Sequence, residues 1–281
     1  MNTVWSEHIQ GVKTLYLSRK LRFDDLFKEQ YMKLFGLDPE KKLKILEIGC
    51  GPGAVAAALK KWYPKAEVTG LDRDSRFISF ASENFPEVSF IEGDATALPF
   101  EDAAFDVTIS YTLQEHVEPD AFWGEQMRVL KPGGVCICLS ARKGISRTAA
   151  CLGETLEEEA FWLRQPDDDT FEKYHVGKYA VTEMELPALM EEHGFSKVSA
   201  GYVIIDLTPD DPKYPREFAE AMIEADREGD LEAIDSAHDP KSEEVRAAVN
   251  AKYDERLKLL RAGVKQWDTS VNITMILRGV K

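Results

Sequence analysis

The residues best suited to chemistry in this 281-residue chain lie between positions 47 and 116. Glu47, Gly49, Gly51 and Gly53 stand at alternate positions where an apolar run, Lys44 to Ile48, meets Ala-Val-Ala-Ala-Ala-Leu, the start of a helical pattern. A strand that turns sharply into a helix passes through backbone angles closed to residues with a Cβ, and a ligand on such a turn touches backbone directly. The stretch reads as a loop for a nucleotide-type ligand. Asp72 ends a second strand, Glu67 to Asp72, roughly 20 residues beyond the glycines, where an acid can accept from two ribose hydroxyls. Asp94 and Ala95 follow a third strand, Val88 to Ile91.

The glycine spacing alone leaves two cofactors open. Gly49, Gly51 and Ala54 satisfy the G-x-G-x-x-G/A dinucleotide fingerprint, whereas Glu47 with the three glycines gives the E-x-G-x-G-x-G form that precedes S-adenosylmethionine (SAM). Glu47 discriminates between them: its carboxylate would repel a pyrophosphate but suits the ammonium and sulfonium of SAM. The stretch resembles motif I of the class I SAM-dependent methyltransferases, and Gly93-Asp94-Ala95 resembles that family's adenine-reading motif. Leu98-Pro-Phe, Phe105-Asp-Val, Leu113-x-x-His116-Val and Leu130-Lys-Pro-Gly-Gly134 are similar to its small-molecule branch, which includes the ubiquinone, menaquinone and sterol-type enzymes.

The resemblance implies SAM as cofactor, held by Glu47, Gly49, Cys50, Gly51, Gly53, Asp72, Arg73, Asp94, Ala95 and Ser110, with no chemical role for the Cys50 side chain. In such enzymes an N-terminal helical segment often folds over the cofactor, which brings Tyr16, Arg22 and the neighbouring Arg19 into consideration; an Arg there could pair with a carboxylate. Tyr111, Glu115 and His175 are expected in the substrate pocket. His116 is the first candidate for a general base, followed by His175, Tyr16 and Glu115, although a base is optional for methyl transfer to many nucleophiles. The chain lacks the Asn-Pro-Pro-Tyr motif of enzymes that methylate adenine N6 or glutamine N5. Two other readings stand beside this one: an NAD-dependent oxidoreductase, and a non-catalytic SAM-binding regulatory or interaction protein.

Strands and helices in strict alternation must position these residues. The expected fold is α/β, a Rossmann-like seven-stranded sheet with helices on both faces and the final strand antiparallel. Residues 1–43 form an N-terminal helical cap, and residues 44–281 the SAM-binding domain. The fourth strand is expected at Val107 to Ser110, the fifth at Val135 to Ser140 and the sixth at Lys197 to Ile205. A helical insertion at 209–263 precedes the seventh: Pro215 opens a helix that closes at Gly229, and Ser242 caps a second whose apolar stripe includes Val245, Val249, Tyr253 and Leu257. That stripe suits a lid or a homodimer element.

Composition narrows the partners. A net charge of −15 opposes a nucleic-acid ligand and favours a small molecule. Residues 1–44 depart from this with nine basic against six acidic side chains, while 206–268 hold seventeen acids against ten bases. Cys50, Cys136, Cys138 and Cys151 show no metal-ligand or disulfide spacing, so no metal is expected and a reducing cytoplasm is. Neither a signal peptide nor a membrane span is legible.

Overall fold

In the computed structural model, the glycine loop lies at the carboxyl edge of a seven-stranded sheet of order β3-β2-β1-β4-β5-β7-β6. The structure describes residues 5–165, 169–237 and 239–281. The start of the chain, where no signal peptide is expected, lies outside them. Three helices come first, α1 (Trp5–His8), α2 (Val12–Arg22) and α3 (Lys28–Phe35). The alternating part is β1 (Lys44–Ile48), α4 (Ala54–Trp62), β2 (Glu67–Asp72), α5 (Ser75–Asn84), β3 (Ser89–Glu92), β4 (Phe105–Tyr111), α6 (Pro119–Val129) and β5 (Leu130–Arg147). Then come α7 (Leu156–Trp162), α8 (Thr170–Lys173), α9 (Glu185–Glu192), β6 (Ser196–Leu207), α10 (Arg216–Ser236), α11 (Ser242–Arg261) and β7 (Thr269–Val280).

Local chemistry explains the starts of the helices near the site. Asp74 caps α5 by accepting from the Arg76 N–H at 3.0 Å, and Glu118 caps α6 with Pro119 in its first turn. Strands β1 to β5 pair in parallel. Strand β7 runs antiparallel to β5: Gly133 and Gly134 exchange hydrogen bonds with Lys281, and Gly144 lies against the Val271 backbone, so the paired positions shift in opposite directions.

The chain divides into two compact units. The first comprises residues 1–142, 170–203 and 273–281. One face of its sheet is covered by Phe122, Trp123 and Val129 of α6 with Leu186 and Met190 of α9, packed on Leu46, Ile48 and Cys138. Ile45, Val107 and Ile109 alternate to the other face. There Trp62 of α4 stacks with Phe23 and Tyr31, tying the N-terminal helices to the sheet. Tyr31 and Phe35 are fully buried, each contributing about 1.5–3 kcal/mol by the usual measure of apolar burial. The segment expected as a cap is thus part of this unit's core.

The second unit, residues 143–169 and 204–272, has its own core of Phe161, Ile223, Ile234, Val245, Val249, Tyr253 and Leu257. The apolar stripe of α11 is spent on this core, which removes the reason for assigning it to a dimer contact. Two expected boundaries are corrected. Helix α10 runs past Gly229 because burial of Ile234 outweighs the roughly 1 kcal/mol cost of a mid-helix glycine. Ser242 does not cap α11; its hydroxyl donates to the Asp239 carbonyl at 2.7 Å instead of accepting a helix N–H. Arg256, fully buried on α11, donates to Asp210 at 2.8 Å and to Asp268, fastening both ends of the helical pair.

Candidate functional site

Strands β1 and β4 are neighbours from which the chain winds outward in opposite directions, and the crevice at such a switch point is where open α/β sheets bind ligands. The loop after β1 is fixed by the Leu71 carbonyl, which accepts from Gly49 at 2.7 Å and from Cys50 at 2.9 Å. Gly49, Gly51 and Gly53 all have positive φ, and a Cβ on Gly49 would come within 2.8 Å of Leu113. Glu47 is 1 % exposed, and its Oε2 has no hydrogen-bond partner. Burial and then the nearby Asp72 push its pKa well above the usual carboxylate range. A cation seated here would supply what the side chain lacks. Cys50 is buried, with Sγ 3.6 Å from the Gly51 carbonyl and its thiol pKa raised by burial, so it has no reactive character.

Asp72 accepts from Gly51 N–H through Oδ2 and from Asp74 N–H through Oδ1, both at 2.9 Å, which aims its remaining lone pairs over the loop. Burial raises its pKa to about 6. Arg73 is exposed beside it, close enough to lower the pKa of His116. Asp94 is exposed and holds an Asx turn in which Oδ1 accepts from the N–H and hydroxyl of Thr96 at 2.8 and 2.7 Å. That turn leaves Oδ2 and the half-buried Ala95 at the rim.

Helix α2 brings Leu15 against the loop, 3.2 Å from where a Gly51 Cβ would stand. One turn on from Leu15, Arg19 reaches the carboxyl end of β4. Its Nη2 donates to Thr112 Oγ1 at 2.7 Å, and its guanidinium lies 4.3 Å from the Tyr111 ring centre. Among the described residues no carboxylate comes within ion-pair distance of it, and burial lowers its pKa. The other two residues considered on this helix make different contacts. Tyr16, one position round the helix from Leu15, packs on Phe80 and Phe85. Arg22 donates to Ser18 Oγ at 2.5 Å.

Helix α1 adds a contact that periodicity could not reveal. Ser6 donates through its N–H and its hydroxyl to the two oxygens of Asp74, at 2.7 and 3.0 Å, while the Trp5 ring lies 4.8 Å from that of His116. Since β2 and β4 flank β1 in the sheet, Trp5–His8 straps across the crevice.

The carboxyl end of β4 holds the remaining residues. Tyr111 lies under Arg19, whereas Ser110 is fully buried beside Cys138 on the opposite sheet face from Glu47 and is not presented at the edge. Thr112 has φ +47°, a strained value for a β-branched residue, held by its hydrogen bonds to Arg19 and to the Leu139 carbonyl. Glu115 and His116 occupy a single 3-10 turn, Gln114–His116. His116 Nδ1 accepts from Gly177 N–H at 2.8 Å, and burial lowers its pKa to about 4. Its proton therefore resides on Nε2, and the imidazole is not set up as a base. His175 is exposed on a turn with φ +57°, which it enters by donating to the Glu172 carbonyl; its neighbour Gly177, rather than its own ring, reaches the site.

Residues 46–138 match the family model described as a methyltransferase domain. Over residues 46–138 the sequence is thus similar to methyltransferase domains. A fatty-acid O-methyltransferase of Mycolicibacterium smegmatis is 39% identical over 103 residues, covering 35% of this chain and 37% of that protein. A demethylmenaquinone methyltransferase of Staphylococcus aureus is 37% identical over 119 residues, covering 41% and 48%. The matched stretch thus spans less than half of either curated relative. The structure of Haemonchus contortus phosphoethanolamine N-methyltransferase 2 with S-adenosyl-L-methionine has a TM-score of 0.56 at 17% identity, covers all of this chain and 60% of that one, and supports the fold.

Among the described residues, the site fits SAM through the unpartnered Glu47 oxygen, the Cβ-free loop, the Asp72 acceptor and the guanidinium of Arg19, which has no counter-ion there. A dinucleotide does not fit as well, because the glycine loop would set its pyrophosphate against the buried Glu47 carboxyl. The oxidoreductase reading is accordingly set aside.

Proposed function

We propose that the protein transfers the methyl group of SAM to a small-molecule acceptor. The observation that carries this reading is the buried, unpartnered Oε2 of Glu47 beneath the glycine loop. SAM supplies an electrophilic methyl carbon on a sulfonium, so the protein's part is alignment and exclusion of water. Glu47 meets the cationic end, Asp72 the ribose hydroxyls, and Asp94 with Ala95 the adenine edge. Arg19 is suited to the methionine carboxylate. Trp5 and Ser6 close the crevice over them.

A small acceptor accords with the net charge of −15 and with relatives whose names specify a fatty acid and demethylmenaquinone. The same charge argues against a nucleic-acid partner. Among the described residues no helix is long and apolar enough to cross a membrane. With Cys50, Cys136 and Cys138 buried as free thiols, the cytoplasm is the compartment we assign. Incubation with methyl-labelled SAM and the low-molecular-weight fraction of a cell extract tests the proposal. Label recovered in a small product supports it, and SAM binding without any transfer supports the non-catalytic reading instead.

A further inference from the structure

The turn after β4 holds a carboxylate, Glu115, of which one oxygen, Oε2, is buried with no hydrogen-bond partner among the described residues. The side chain as a whole is 17 % exposed. A buried carboxylate oxygen left unsatisfied is destabilising, so such a group is expected to have a use. The turn itself is held in place, with the Glu115 carbonyl accepting from Tyr179 N–H at 2.9 Å. The groups that face the carboxyl are His116 on the same turn, Arg19 of α2, and Arg142 and Cys138 of β5. Only His116 comes to ion-pair distance among the described residues, with Nε2 at 4.0 Å from Oε1, and it is neutral. Burial raises the Glu115 pKa, and its own backbone N–H, then Arg142, Arg19 and the Gln114 side chain, offset this in part.

His116 cannot take a proton without losing its bond from Gly177. Glu115 can, through an oxygen that already faces no donor. We propose that Glu115 is the catalytic proton acceptor of this methyltransferase site, and that the small-molecule acceptor therefore presents its methyl-accepting atom as an O–H or N–H rather than as a carboxylate. This rests on the methyltransferase reading above. The accepting oxygen or nitrogen forms its bond to the methyl carbon, its proton passes to Oε2 of Glu115, and the electron pair of the broken carbon–sulfur bond stays on the sulfonium sulfur, which becomes a neutral thioether. A carboxylate acceptor has no proton to give, and beside an ionised Glu115 it would meet like-charge repulsion.

The test uses three probes, a naphthohydroquinone, an arylalkylamine and dodecanoate, with methyl-labelled SAM, the full-length protein and its Glu115→Gln and Glu115→Asp variants. The expected result is label on the hydroquinone or the amine. Glu115→Gln should lower that rate by about 100-fold and abolish its acid limb, with SAM affinity by calorimetry unchanged. Glu115→Asp should keep the limb at a reduced rate. Independently of turnover, the infrared difference between wild type and Glu115→Gln should show a carboxyl titrating above the ordinary glutamate range. Label on dodecanoate alone, label on none of the probes while SAM binds, full turnover by Glu115→Gln, or a carboxyl with an ordinary titration would each overturn the assignment. Failure of SAM to bind the wild type would count against the methyltransferase reading instead.

Discussion

The backbone N–H of Gly177 donates to Nδ1 of His116 at 2.8 Å, across 61 positions of sequence. That bond fixes the tautomer of the imidazole and turns the first candidate base into a brace for the turn at 175–179. Substituting His116 should therefore act through structure more than through proton transfer. His116→Asn, whose Oδ1 can accept from Gly177, should keep most of the turnover. His116→Ala leaves that N–H unpaired and should cost about 1–3 kcal/mol of stability. Thermal denaturation with initial rates distinguishes the two, and equal loss of rate in both variants would restore His116 as a base.

The same histidine makes stability depend on pH. Its folded pKa of about 4 lies below the ordinary 6.5, so the folded protein binds fewer protons than the unfolded chain between those values. The contribution is fully present above pH 6.5 and is lost as pH falls towards 4, to a total of about 3 kcal/mol at most. Denaturant titrations from pH 7 to 4 should show this decline, reduced in His116→Asn.

Asp72 should make SAM affinity depend on pH. A carboxyl with pKa of about 6 must be ionised to accept from both ribose hydroxyls, so affinity should be full above pH 7 and decline as pH falls below 6. Asp72→Asn should bind SAM about 10–100-fold more weakly and lose the dependence. Calorimetry in buffers of different ionisation heats should register proton release on binding by the wild type near pH 6. A flat profile there would place the ribose elsewhere.

Arg19 and Thr112 can be separated. Thr112→Gly relieves a positive φ but leaves the buried Arg19 guanidinium without its acceptor, so it should weaken SAM binding without a net gain in stability. Arg19→Met should weaken SAM binding by about 10–100-fold, by loss of a charge-assisted pair with the cofactor carboxylate. Unchanged affinity in Arg19→Met would remove that arginine from the cofactor site.

Arg256 should be essential to its own unit. Arg256→Met leaves the buried Asp210 and the partly buried Asp268 without their cation and should cost about 3–5 kcal/mol. Calorimetric melting should show an early transition, with SAM binding by the first unit retained below it.

The alternating half of the fold was legible because each element carries its own local signal. Lys44–Ile48, Ala54–Trp62 and Glu67–Asp72 were expected at the bounds they have, from apolar period and from glycine and proline at the turns. The crevice residues Glu47, Asp72 and Asp94 were legible for the same reason, since the ends of parallel strands are where that pattern changes. The rest depends on contacts between distant positions. Trp5 meeting His116, Ser6 meeting Asp74 and Gly177 meeting His116 have no periodicity to announce them. Tyr16 and Arg19 were equally plausible by type; helix phase, set by where Leu15 docks, sends one to Phe80 and the other to Thr112. Gly229 ended a helix on propensity, and tertiary burial of Ile234 overrode it.

The central claim is that the loop around Glu47 is a cradle for SAM, and titration calorimetry of the wild-type protein with SAM and, separately, with NAD tests it most directly. The expected result is one SAM bound per chain, affinity lowered at least 10-fold in Glu47→Leu, and no heat with NAD. Binding of NAD without binding of SAM would contradict it.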